Sequence, residues 1–178
     1  KETVISNTSY KKDYISTKIS NMGTADEYYS EYAKNSIEDF VMKIIDNEAP
    51  ISRKLLMHKV LNGWNISRSG TRVEGIFQSV IENIEKKETN DDERIFYWKM
   101  DQLPEKYNYY RVEDAEGNKR AMDDVPSHEI INAIIEVLEE QISIGDKTLV
   151  REVAKKFGYS RLGNVIENSI KFAIEYGI

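Results

Sequence analysis

The sequence predicts a mainly α-helical fold with a small β-hairpin wing, arranged as tandem modules of three helices each. Three observations lead there. An ungapped offset of 93 aligns residues 37–84 with 130–177 and gives 11 identities in 48 positions. In both copies apolar residues recur at spacings of three and four, the period of one helix face. Between the copies lies RIFYWKM, residues 94–100, an aromatic and β-branched run of the kind that forms strands.

The first copy opens with Ile37, Phe40, Val41, Ile44 and Ile45 on one helical face. Ser36 is placed to cap this helix, with Asp39 completing a capping-box-like pair. Ala49-Pro50 ends it, because the residue before proline avoids the helical region. Ser52 then caps a short helix carrying Leu55, Leu56 and Val60, and Gly63 stops it. Ser67 is expected to cap a longer third helix with Val73, Ile76, Phe77, Val80, Ile81 and Ile84 on its inner face.

The second copy repeats the scheme. Pro126-Ser127 precedes Ile130, Ile131, Ile134, Ile135 and Leu138. Asp146 is expected to cap Leu149, Val150 and Val153; Gly158 breaks the helix; Ser160 is expected to cap Val165, Ile166, Ile170 and Ile174. Trp64 aligns with Phe157, which reads as a shared core position at equivalent turns.

The connector differs. Residues 85–93 (EKKETNDDE) read as a charged loop, and 94–100 as a strand in which Phe96 and Trp98 bury together. Residues 107–112 are a second strand candidate, with their tyrosines packing the wing. Ala115-Glu116-Gly117-Asn118 looks like a hairpin turn returning through 119–122. Three helices followed by a hairpin is the order of a winged helix. The expected domains are therefore an N-terminal linker or arm over 1–35, a first winged-helix-like module with its wing over 36–123, and a second helical module over 124–178.

Composition bounds the function. The 178 residues include no cysteine, which excludes a disulfide framework, a thiolate zinc site and a cysteine nucleophile. Two histidines, His58 and His128, fall at unrelated points of the repeat and make no HExxH pattern. No glycine-rich phosphate loop occurs, and no apolar run is long enough to span a bilayer. The expectation is a cytoplasmic, non-catalytic chain with no cofactor and no metal. Isoleucine occurs 22 times and leucine 7, which we read as the codon bias of an AT-rich, bacterial genome. A start at Lys1 reads as a piece of something longer.

A net charge of −6 argues weakly against a large nucleic-acid surface, but the charge is uneven. Residues 37–84 balance six basic against six acidic side chains, whereas 85–125 hold eight against twelve. Basic residues gather on the second helix of each copy: Arg53, Lys54, His58 and Lys59 in the first, Lys147, Arg151, Lys155 and Lys156 in the second.

Ser-Arg-x-Gly occurs at residues 67–70 and again at 160–163, each ahead of a third helix. Open backbone N–H groups and the helix dipole there favour an anion, and an arginine can grip a phosphate in two places. The N-terminal end of this helix faces the groove in helix-turn-helix proteins. Ser67, Arg68, Arg72 and Lys54, with Ser160, Arg161 and Lys147, are the candidate nucleic-acid contacts. The architectural alternative is that each serine is an N-cap, each arginine pairs with a carboxylate and each glycine eases packing.

The second copy also resembles a known family. Val125, Pro126, Glu129 and Ile130, then Leu149, Val150, Glu152, Val153, Ala154, Phe157, Gly158, Tyr159, Arg161 and Gly163 follow the pattern V-P-x-x-E-I and L-[IV]-x-E-V-A-[KR]-x-[FL]-G-[FY]-x-R-x-G. It is that of a bacterial domain-of-unknown-function family at the C-terminal ends of large superfamily 1 DNA helicase-related proteins. Residues 48–73 look like the module that commonly precedes it, so the resemblance spans 37–178. It implies a nucleic-acid-processing or defence protein, in which a helicase motor and often a small restriction-endonuclease-like domain come first. It supplies no catalytic residue here. The implied partners are DNA and the other domains of the parent protein. The alternative is a protein–protein docking or dimerisation module without direct DNA contact.

Overall fold

The computed structural model describes residues 10–177; residues 1–9 of the expected arm, and Ile178, lie outside the described residues. In chain order the elements are β1 (Lys11–Tyr14), α1 (Ala25–Tyr28), α2 (Ala33–Glu48), β2 (Ile51–Ser52), α3 (Arg53–Gly63), α4 (Thr71–Ile81) and β3 (Lys87–Asp91). There follow β4 (Arg94–Trp98), β5 (Tyr110–Glu113), α5 (Ser127–Glu140), α6 (Asp146–Lys156) and α7 (Asn164–Gly177). The fold is mainly α with little β. α3 and α6 lie 93 positions apart, and so do the first residues of α4 and α7.

The described residues form two compact units. The first holds 15–104 and 124–126; the second holds 10–14, 105–123 and 127–177. These boundaries differ from those read in the sequence. Residues 15–35 share the unit of the first helices, and 105–123 belong with the C-terminal helices rather than to the first module's wing.

In the first unit, α2 buries Ile37, Phe40, Val41, Ile44 and Ile45, the face its spacing predicts. Ile37, Val41 and Ile44 are fully excluded from solvent, and each such side chain contributes about 1.5–3 kcal/mol. Ser36 does not cap this helix. The helix starts at Ala33, so Ser36 lies inside its first turn, and no side chain caps it. The capping box sits instead on α1, where Thr24 Oγ1 accepts from Glu27 N at 3.3 Å and Glu27 Oε2 accepts from Thr24 N at 2.6 Å. These bonds hold the Glu27 carboxyl below its usual range. Ser52 caps α3 as expected, accepting from Leu55 N at 2.9 Å.

The sheet of this unit has the order β2-β4-β3, antiparallel throughout. β4 confirms the aromatic strand, with Phe96 and Trp98 on one face and Tyr97 turned into the helical core. Residues 87–91, read as loop, are a strand. They pair with β4 from Lys87 opposite Trp98 to Asp91 opposite Arg94, around a two-residue turn in which Asp92 takes φ 58°.

In the second unit β1 runs parallel to β5, with Lys11 opposite Tyr110 and Tyr14 opposite Glu113. The expected hairpin through 115–122 does not form. Asp114 folds that loop on itself by accepting from Glu116 N and Asn118 N, and the 119–122 stretch makes no return strand. Tyr110 packs on Phe157 at 5.3 Å and bonds to Glu136, so the tyrosine cluster serves this unit and no wing. Beneath β5, Glu129 is fully buried between Arg111 and Arg120, accepting at 3.1 Å from Arg111 Nε and at 2.7 Å from Arg120 Nη2. Both guanidiniums lie over the Tyr14 ring, at 5.5 and 4.5 Å. Gly158 ends α6 at φ 81°, as expected of a helix-breaking glycine.

Candidate nucleic-acid interface

The two Ser-Arg-x-Gly segments fold differently from their expected role as caps. In the first unit Asn65 takes φ 57° just beyond α3 and starts a loop that delays the next helix to Thr71. Ser67 therefore lies in the loop, and Gly70 is the N-cap of α4 with no side chain bonded to the helix. The second unit repeats this. α7 starts at Asn164, directly after Gly163, so Ser160 lies in the loop and caps nothing. Glu74 N donates to Gly70 O at 2.9 Å and Glu167 N to Gly163 O at 3.0 Å, one bond at equivalent places. Asp146 does not cap α6 either: Gly145 is the N-cap and Asp146 the first helical residue. Val165, expected inside, is 53% exposed.

Each part of the architectural alternative can be set against this geometry. The serines are not caps. Arg68 and Arg161 are exposed and have no ion-pair partner among the described residues. A Cβ on Gly70 or Gly163 would have nothing within 4 Å, so neither glycine eases packing. The first turn of α4 keeps its N–H groups free of any side-chain cap.

Lys54 stands exposed on the first turn of α3, and it shares a cleft of about 340 Å³ with Ser67, His58 and Ser69. Asp124 closes the floor, where its carboxylate accepts from Ser52 Oγ at 2.5 Å. Arg72, the second residue of α4, lies over the Tyr29 ring at 4.2 Å and not in the cleft. In the second unit Lys147 lines a cleft of about 330 Å³ with Arg151 and Lys171, but Asp146 and Glu167 line it too. Glu167 pairs with Lys171 at 2.5 Å, which lowers its pKa. Arg161 and Ser160 lie in the loop beside this cleft without lining it.

The wider basic faces thin out. Lys59 is buried and paired with Glu48 at 2.7 Å, so it leaves the exposed face of α3. Arg53 donates to Gln78 Oε1 at 3.0 Å. Lys155 pairs with Glu152, and Lys156 with Glu136 and Glu140. Lys54, Lys147 and Arg151 stay exposed on these helices, beside Arg68 and Arg161 of the loops.

Sequence reasoning missed what positions them. Tyr28 of α1 is buried, stands edge-on to Trp64 at 5.9 Å and donates from its hydroxyl to Val73 O at 3.2 Å. Asn65 Nδ2 donates to Gly23 O at 2.8 Å. Residues 21–29 thus hold both the loop that carries Arg68 and the start of α4. The signal was present: Thr24-Ala-Asp-Glu27 is a capping box in a stretch otherwise without period.

Among the described residues no helix is long and apolar enough to cross a membrane, and no group of three or more His, Asp or Glu side chains is placed to hold a metal ion. Residues 26–75 match the family described as Protein of unknown function (DUF3320). The match runs from α1 into α4, across the first Ser-Arg-x-Gly and its brace, whereas the signature residues quoted above for 124–178 lie outside it. No curated protein and no solved structure matches the chain.

Proposed function

We propose that this chain is a non-catalytic accessory region of a bacterial helicase-related protein for nucleic-acid processing or defence. It engages DNA through phosphates at the starts of α4 and α7. On this reading the helices α2-α3-α4 with the sheet β2-β4-β3 are a winged-helix-like module, and the helices α5-α6-α7 belong to its tandem partner. The order of elements in the first unit, with a short strand between its first and second helices and a hairpin after the third, supports the module. The exact 93-residue spacing of α3 to α6 supports the tandem.

One observation carries the functional reading. Ser-Arg-x-Gly appears twice, and in neither place does the fold use its serine as a cap, its arginine in an ion pair or its glycine for packing. What the segments share is an exposed arginine before an uncapped helix start, the arrangement that suits a phosphate. Lys54, Ser67 and Arg72 add to it in the first unit, and Lys147 and Ser160 in the second. Such contacts orient a duplex without reading its sequence.

The test is binding of the 178-residue chain to labelled duplex, forked and single-stranded DNA by fluorescence anisotropy across a salt series. Each neutralised phosphate contributes about −0.9 to the slope of log K against log salt, so five engaged cations bound the slope near −4.5. Arg68→Glu with Arg161→Glu lowers its magnitude by about 2 and weakens all three ligands. Absence of binding at low salt, or a double variant that binds as the parent does, overturns the reading.

A further inference from the structure

The first unit carries a second surface that this DNA reading does not use. Past the C-terminal end of α4, a groove of about 640 Å³ runs between α2 and the segment after β4. Its floor is apolar: Met42, Ile45, Ile84 and Met100. The two methionines are 46% and 52% exposed, although both are large apolar side chains. Its rim is acidic: Glu38, Asp46, Glu85 and Asp101 line it against a single cation, Lys99. None of the four carboxylates has an ion-pair partner among the described residues. The carbonyl end of α4 adds partial negative charge at Asn83 and Glu85.

We infer that this groove docks a basic amphipathic helix of another protein or domain, whose apolar side chains enter between Met42 and Met100 and whose lysines or arginines meet the four carboxylates. Flexible, polarizable methionines suit a surface that adapts to inserted side chains. An apolar floor with a charged rim is the complement of a helix with one apolar face and basic flanks. The charge selects the occupant: a nucleic acid is repelled by this rim, and a second copy of so acidic a chain gains nothing from it.

The experiment uses a labelled synthetic helix of about 14 residues, four turns, with leucines at i, i+3, i+4 and i+7 and lysines flanking them. Its anisotropy is titrated with the 178-residue chain. The expected result is saturable binding that falls about tenfold when the leucine spacing is scrambled, when glutamates replace the lysines, or in Glu85→Lys with Asp101→Lys. Met42→Asp weakens it likewise, and circular dichroism verifies that each variant is folded. Arg68→Glu with Arg161→Glu leaves peptide binding unchanged, which separates this inference from the DNA reading. Equal binding of the scrambled peptide, or full binding by the charge-reversed chain, overturns it. So does a dimer in sedimentation that Met42→Asp disperses, because the occupant is then a second copy.

Discussion

Replacing Glu129 with glutamine keeps its shape and removes its charge. The carboxylate is fully buried and bonded to two guanidiniums that are themselves 7% exposed. Burial alone raises its pKa, but Arg111 and Arg120 overcome that and lower it from 4.5 to about 2. A fall of this size corresponds to about 3 kcal/mol of differential stabilisation of the charged form. Breaking a buried ion pair from one side costs about 3–5 kcal/mol by an independent route, since the remaining cations stay buried and uncompensated. Both routes predict that Glu129→Gln loses about 3 kcal/mol of unfolding free energy. The sign with pH follows from the depressed value: the stabilisation is present in full above the unfolded carboxyl pKa and is lost as pH falls toward 2. The parent therefore weakens between about pH 4.5 and 2 more steeply than the variant. Urea unfolding followed by circular dichroism at pH 7, 4.5 and 3 measures both. A variant within about 1 kcal/mol of the parent at pH 7, or one with the same acid limb, refutes the account of the Glu129 cluster.

Gly23→Ala tests the brace on the proposed phosphate site. Gly23 takes φ 153°, and a Cβ there would stand 2.8 Å from both the Trp64 ring and Glu27 Oε2; the expected loss is about 1–3 kcal/mol, read as a lowered melting temperature with weakened DNA binding. Lys59→Met leaves Glu48 buried without its ammonium partner, and Glu48 also accepts from Thr17 N at 2.6 Å. Urea unfolding should show a loss of about 3 kcal/mol, and an unchanged midpoint refutes the pairing as a stabilising contact.

Much of the fold was legible where the signal is local. The 3–4 spacing of Ile37 to Ile45 placed α2, Ser52 placed the start of α3, and the aromatic run placed β4. Signals that depend on distant partners were not legible. β3 (KETND) is polar along its length and is a strand because β4 lies beside it; charged residues are a common feature of strands that protect a sheet edge. Lys59 reads as one more cation of α3 until Glu48, on another helix, takes it inside. Among the candidate contacts, Lys54 and Ser67 converge on one cleft, as a basic helix face and a following loop suggest. The capping role of Ser67 and Ser160 failed because the left-handed turn at Asn65 and the break at Gly158 lengthen each loop, so that a glycine meets the helix instead.

The pairing of β1 with β5 joins residues 99 positions apart, Lys11 with Tyr110, and nearly all of the first unit lies between them. The first unit is in effect an insertion: the chain begins the second unit, leaves it to complete another, and returns. During synthesis the first unit can fold as it emerges, whereas β1 must wait for β5 before its ladder closes. A fragment cut at residue 124 would carry all three C-terminal helices, yet it would lack Tyr14, Arg111 and Arg120. Glu129 would then be left with neither of its cations. Dissection of this protein should therefore follow the spatial units, keeping both arms of the interrupted one, and not the linear order of its helices.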